Sequence, residues 1–187
     1  MAQYILASAS PRRKQLLEWA EVDFEIVVQS TDETFPDGLT PAEAVVHIAE
    51  QKAAAVQELL NSDKTIIAAD TIVVLQDQII GKPQNRDHAI EILTQLSGQV
   101  HTVITGVAIK REKEHFSFYD ETQVAFHPLT QEQIQFYVDK YKPYDKAGAY
   151  AIQEWIGVVG IKQIRGDFYN VMGLPVSRVV QALEKFR

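Results

Sequence analysis

The 187-residue sequence predicts an α/β fold with a mixed, twisted β-sheet flanked by helices, and three observations predict it. Short apolar runs of strand length alternate with segments whose apolar residues recur every three to four positions. The run TIIAADTIVVL at 65 to 75 is too continuously apolar for a one-sided strand and reads as a central strand covered on both faces. Two long β segments, 99 to 110 and 115 to 126, are joined across REKE as an antiparallel hairpin, which makes the sheet mixed.

Taken in order, QYILA at 3 to 7 is a short buried strand. A helix follows from Pro11 to about Ala20, with Ser10 as N-cap and proline at the first helical position. A second strand lies near 23 to 28, followed by a polar loop carrying QSTDET. Thr40 and Glu43 have the spacing of a capping box and open a long helix to about Leu60, with the stripe Val45, Ile48, Ala49, Ala53, Val56, Leu59 and Leu60. After the central strand comes a turn at 76 to 78, then GKP, then a helix capped by Asn85 and ended by Ser97-Gly98. Thr130 and Gln133 open another helix, to about Lys140. The turn-rich KPYDKAGAYAIQ precedes a short β run near Ile156 to Ile161, and the chain closes with a helix carrying Val176, Val179, Val180 and Leu183 on one side.

Composition narrows the function. An apolar fraction of 46% suits a folded globular chain, and the absence of cysteine excludes a thiolate nucleophile, a cysteine zinc site and a disulfide framework. A cytoplasmic location is expected, because there is no signal-peptide pattern and no apolar run of bilayer length. A net charge of −7 argues against coating nucleic acid through bulk positive field, so neither nucleic acid nor membrane is an expected partner. The five histidines lack the close spacing of metal ligands.

Four features break the structural pattern. Arg12 and Arg13 put two cations at the positive end of a helix, beside Ser8 at a strand-to-helix junction whose backbone donors suit phosphate. Solvated arginines on a capped helix are the plainer alternative. Asp70 interrupts the buried strand, where an unpaired carboxylate costs several kcal/mol, so it must hold a cation, a hydrogen-bond network or a metal; the Thr71 hydroxyl can reach the same space. Lys52 falls within the apolar stripe of the long helix, although it could simply snorkel to the helix edge. Lys82 lies between Gly81 and Pro83, which fix the backbone that aims it. Glu33, in TDET, gains meaning only beside Asp70, because Mg²⁺ takes a few carboxylate oxygens and leaves room for substrate phosphates. Cations for phosphate and carboxylates for a hard cation together point to phosphoryl chemistry on a polyphosphate.

The segments LASASPRRKQLL, TDET, AEQKA, IIAADTIV, GKP, LSGQVHTVITGV, YDKAGAYAIQ and NVMGLP run in order over nearly the whole chain and resemble the Maf family of nucleoside triphosphate pyrophosphatases. The resemblance implies two lobes of a single domain over 1–187, around a central cleft, similar to the inosine triphosphate pyrophosphatases. It implies hydrolysis between the α- and β-phosphates of a nucleoside triphosphate, with a divalent metal cation (Mg²⁺ or Mn²⁺), and a homodimer. DKAGAYAIQ resembles the branch acting on dTTP and UTP, and the expected role extends to removing modified pyrimidine nucleotides. By the same resemblance Asp70 is the catalytic base or metal-organising carboxylate and Glu33 joins it at the metal. Ser8, Arg13, Lys52 and Lys82 bind the triphosphate, while Arg12, Thr71 and Gln153 stand at specificity positions. The Gln153 amide can donate and accept, which suits the carbonyl and N–H edge of uracil or thymine. After Gln153 this chain has Glu154-Trp155-Ile156-Gly157, where the resemblance leads one to expect a smaller, glycine-richer segment. An inosine or xanthosine triphosphate pyrophosphatase and a nucleotide-binding regulator of cell division without turnover are the alternatives.

Overall fold

The computed structural model describes residues 3–60 and 63–186. Its elements are β1 (Tyr4–Leu6), α1 (Pro11–Trp19), β2 (Phe24–Ile26), α2 (Pro41–Leu60), β3 (Thr65–Leu75), β4 (Gln78–Ile80), α3 (Arg86–Leu96), β5 (Val100–Arg111), β6 (Glu114–Phe126), α4 (Gln131–Tyr141), α5 (Trp155–Gly160), β7 (Ile161–Arg165), α6 (Phe168–Met172) and α7 (Val176–Leu183). Single 3₁₀ turns lie at Ala147–Ala149 and Glu184–Phe186. The sheet is mixed, in the order β2-β1-β3-β5-β6-β7 with β4 paired to β3. Strand β1 is parallel to β2 and β3, whereas β4 is antiparallel to β3 and β7 to β6. The chain divides into two compact units: Met1–Thr71 with Thr105–Asp120 and Gly173–Arg187, and Ile72–Ile104 with Glu121–Met172.

In the first unit, the capping box of α2 forms as expected: the Thr40 N–H donates to Glu43 Oε2 at 2.8 Å and the Glu43 N–H to Thr40 Oγ1 at 3.3 Å. The stripe of α2 buries Val45, Ile48, Ala49, Ala53 and Val56, and Ala49, Ala53 and Val56 share a core with Ile5, Ala7, Ile66, Ala68 and Ala108. Leu59 departs from the expected stripe and is exposed, while Leu60 packs at the edge of that core. Small residues let the helix lie close to the strands. The approach is closest at Gly106 on β5, where a Cβ would lie 2.4 Å from the Val45 carbonyl carbon. Ser10 occupies the cap position of α1, but its side chain makes no capping bond; its own N–H donates to Ser8 Oγ at 3.2 Å.

In the second unit, β3 and β4 are joined through Gln76 and Asp77, both with positive φ, as a type I′ hairpin turn requires. Asn85 caps α3 by accepting the His88 N–H at 2.9 Å, and Thr130 and Gln133 form the reciprocal capping box of α4. The expected strand near Ile156 to Ile161 is instead helix α5 followed by β7. The β-branched run there reads as strand, but Gly157 lies so close to Ile152 that a Cβ would sit 1.7 Å from its carbonyl oxygen. The Gly157 and Val158 N–H groups then donate to the Glu154 carbonyl at 2.9 and 3.3 Å, which closes a helical turn. Helix α6 forms between β7 and α7, where the sequence reading named no element.

His101 on β5 is buried, with Nε2 2.7 Å from the Tyr150 hydroxyl and the Phe126 ring edge-on at 5.2 Å between centroids. Its Nδ1 has no hydrogen-bond partner among the described residues. Burial pulls its pKa down from 6.5 to about 4, and burial likewise raises that of Tyr150.

Two outcomes follow from the packing. Gly106→Ala is expected to cost about 2–3 kcal/mol, because backbone rather than a flexible side chain blocks the new methyl group; an unchanged urea midpoint would show that α2 can retreat freely. For His101 the unfolded chain takes up a proton below pH 6.5 that the folded chain refuses until about pH 4. Stability should therefore be flat above pH 6.5 and fall by about 2 kcal/mol between pH 7.5 and 5. Urea titrations at the two pH values, repeated on His101→Phe, check this, since the variant should lose that part of the slope.

Candidate active site

One helix, one strand and one loop of the first unit bring Lys52, Asp70 and Glu33 together. Position 52 points the Lys52 side chain off the flank of α2 toward β3, where its Nζ donates to Asp70 Oδ1 at 2.8 Å. The same Nζ lies 2.7 Å from Glu33 Oε1, on the loop after β2. Lys52 and Asp70 are each about 16% exposed and Glu33 about 50%, so the ammonium sits at a boundary between core and solvent. Lys52 does not snorkel away. It holds two carboxylates within one group's reach, which their mutual repulsion would otherwise oppose.

The arginine pair resolves differently. Arg13 turns from the helix N-terminus and spreads its guanidinium over three acceptors: Gly173 O at 2.8 Å from Nε, Ser8 Oγ at 3.2 Å and Thr71 Oγ1 at 3.0 Å. Thr71 Oγ1 is also 2.9 Å from Thr105 Oγ1. Burial pulls the Arg13 pKa below its ordinary value and the neighbouring Arg12 adds to that, while the charges of Asp70 and Glu33 oppose it. Even so lowered, a guanidinium is a cation at neutral pH. Arg12, Arg13 and Lys52 thus stand against Glu33 and Asp70, three cations to two carboxylates, in one electrostatic neighbourhood. Thr105 and the Gly173 carbonyl belong to this network and were not singled out from sequence. Their only signal was membership of the LSGQVHTVITGV and NVMGLP segments.

The remaining expected residues lie in the second unit. Lys82 is exposed on the loop after β4, and the preceding Gly81 carbonyl accepts the Gly148 N–H at 3.2 Å, tying that loop to the KAGAY segment. Gln153 is exposed on a turn between the 3₁₀ segment and α5. The neighbouring Glu154 carboxylate accepts from the Tyr137 hydroxyl, and the buried Lys146 lies 3.9 Å from Glu154 and 2.7 Å from Asp145. Tyr137 was missed from sequence, and Glu154 was noted only as the start of a segment that departs from the family pattern. The available hint was a tyrosine on the buried stripe of α4, whose hydroxyl needs a partner.

A divalent cation can be tested against the donor set. Among the described residues no cluster of three or more His, Asp or Glu side chains has metal-holding geometry. Glu33 and Asp70 offer a pair of carboxylates, which fits Mg²⁺ or Mn²⁺ that takes its other ligands from water and phosphate oxygens. Among the described residues no helix is long and apolar enough to cross a membrane.

Known proteins resemble this chain over most of its length. A dTTP/UTP pyrophosphatase of Parabacteroides distasonis is 48% identical over 183 residues, spanning 97% of this chain and 95% of its own. A dTTP/UTP pyrophosphatase of Cytophaga hutchinsonii is 50% identical over 181 residues, 97% of this chain and 83% of its own. Among solved structures, the Staphylococcus aureus Ham1 protein shares the fold with a TM-score of 0.57 at 16% identity, over 98% of this chain and 99% of that one. The family model described as Maf-like protein matches residues 3–186, and the chain therefore belongs to the Maf family.

Proposed function

We infer that this chain is a nucleoside triphosphate pyrophosphatase that hydrolyses dTTP and UTP, together with modified pyrimidine nucleotides, to the nucleoside monophosphate and pyrophosphate. The observation that carries the reaction class is the pair of carboxylates held on Lys52 beside Arg12 and Arg13. The choice of pyrimidine is supported by full-length relatives named dTTP/UTP pyrophosphatase. The proposal includes a cytoplasmic setting, expected because the sequence has no apolar run of bilayer length, and a homodimer, which rests on the family resemblance.

Cations hold the triphosphate. These are Arg13 and Lys52, with the Ser8 hydroxyl, and Lys82 has the same role by the family resemblance. Glu33 and Asp70 would hold Mg²⁺ or Mn²⁺, which when bound supplies further neutralisation of the phosphate charge. Water attacks the α-phosphorus, the bond from that phosphorus to the α–β bridging oxygen breaks, and pyrophosphate leaves with the bridging oxygen. The proton from water passes to the Asp70 carboxylate, whose orientation Lys52 fixes through Oδ1. Gln153 reads the base through its amide, and by the family resemblance Arg12 and Thr71 are further specificity residues.

The products decide the reaction. Purified protein with Mg²⁺ and a mixture of UTP, dTTP, CTP, GTP and ITP should give UMP and dTMP with pyrophosphate on anion exchange. Diphosphates with free phosphate would refute the bond assignment, IMP alone would refute the pyrimidine pocket, and no product at all would leave a binding protein. Asp70→Asn, which keeps the side-chain shape, should lower kcat by about 10²–10⁴-fold with little change in thermal midpoint. Unimpaired turnover in that variant would remove Asp70 from its role. Gln153→Ala should lower the preference for UTP over GTP about tenfold, and an unchanged preference would take Gln153 out of the base pocket.

A further inference from the structure

Gln153 is the third residue of a tight turn, and both ends of that turn are fastened to one phenol. The Glu154 N–H donates to the Ala151 carbonyl at 3.1 Å, which closes the four residues 151–154 into a β-turn. Ile152, at the second position, is buried, while Gln153, at the third, is exposed. The Tyr137 hydroxyl accepts the Ala151 N–H at 3.1 Å and donates to the Glu154 carboxylate, so it binds the first and fourth residues together. Tyr137 itself cannot move easily. It is fully buried on α4 beside Ile134 and Val138, and its ring stacks on Tyr141 at 5.0 Å between centroids.

The far side of the turn is fixed as well. The Ile152 carbonyl abuts Gly157, and the Glu154 carbonyl accepts from the first turn of α5. The Glu154 carboxylate lies in a half-buried place, with Lys146 3.9 Å from its other oxygen. An apolar side chain would fill such a place without the desolvation cost, but it could not accept the Tyr137 proton. The carboxylate therefore fixes a conformation.

We propose that Tyr137 and Glu154 are positioning residues for base selection, locking the turn that presents Gln153. The inference rests on the assignment of Gln153 to the base. A glutamine has several rotatable bonds, and only a fixed backbone gives its amide a defined reach. With the turn unfastened, the amide samples several poses and the loss appears in UTP binding.

The test is a set of KM and kcat values for UTP and GTP with the full-length protein. Tyr137→Phe and Glu154→Ala are each expected to lower the UTP to GTP ratio of kcat/KM about tenfold, through a raised KM for UTP. Glu154→Gln, whose amide oxygen still accepts from Tyr137, should recover most of the loss. Tyr137→Phe added to Gln153→Ala should change the ratio no further, which a merely structural tyrosine would not obey. If Gln153→Ala lowers the ratio while Tyr137→Phe and Glu154→Ala leave it alone, the positioning role is overturned and the base assignment stands. An undiminished Tyr137→Phe effect in the Gln153→Ala background overturns it equally. No effect of Gln153→Ala removes both the base assignment and the positioning role. Should Tyr137→Phe fail to fold, the contrast between Glu154→Ala and Glu154→Gln decides alone, since failure of Gln to recover what Ala loses refutes the hydrogen bond to Tyr137.

Discussion

One ammonium group holds the first unit's chemistry in place. Two carboxylates that share a small volume repel each other, and in a partly buried setting that repulsion is screened far less than in water. Lys52 Nζ, at 2.7 Å from one and 2.8 Å from the other, turns the repulsion into a bridge. Its position depends on packing rather than on charge. Helix α2 can deliver a lysine to β3 only because Ala49, Ala53 and Gly106 let it approach the strands closely. Larger residues there would lift the ammonium away from Asp70, so the core and the charge cluster are one constraint.

Arg13 shows the complementary principle. Cations at a helix N-terminus are unfavourable against the macrodipole, and the first turn of α1 carries no acidic residue to compensate them. The compensation comes from elsewhere in the unit: a carbonyl 160 positions away in sequence, two hydroxyls, and the two carboxylates whose field raises what burial lowers. The guanidinium is therefore both a strut and a charge. Such a group costs no reorganisation when a phosphate arrives, because its orientation is already fixed.

The parts of this molecule governed by short-range rules were legible in its sequence. Thr40 with Glu43, Asn85, and Thr130 with Gln133 cap helices where their spacing says they should, because the capping bonds connect residues three apart. Asp70 and Lys52 were legible as breaks in apolar patterns, since a charge in a buried stripe needs a partner. The failures share a cause. Ser10 looks like a cap, but its N–H is taken by Ser8; the 156–161 run looks like a strand, but Gly157 meets a carbonyl that no periodicity reports. The Tyr137 to Glu154 bond spans 17 residues and joins two groups that are each unremarkable alone. Tertiary contacts of that kind leave no local pattern to read.

The two kinds of recognition in the proposed reaction demand different physics, and the chain supplies them differently. Coulomb attraction falls off slowly with distance and has no preferred direction, so cations on α1 and α2 can hold any nucleoside triphosphate by its phosphates. They cannot tell one base from another. Base choice needs neutral hydrogen bonds, which weaken steeply with angle and reward only a donor or acceptor held in place. A flexible amide on a loose loop would pair with either edge of many bases and select none. The loop that carries Gln153 is closed by its own backbone bond, gripped at both ends by Tyr137 and backed by Gly157. On the proposed reading of Gln153, the rigidity falls where discrimination requires it. The exposed Lys82 needs no comparable restraint, because a point charge works over a wider range of poses.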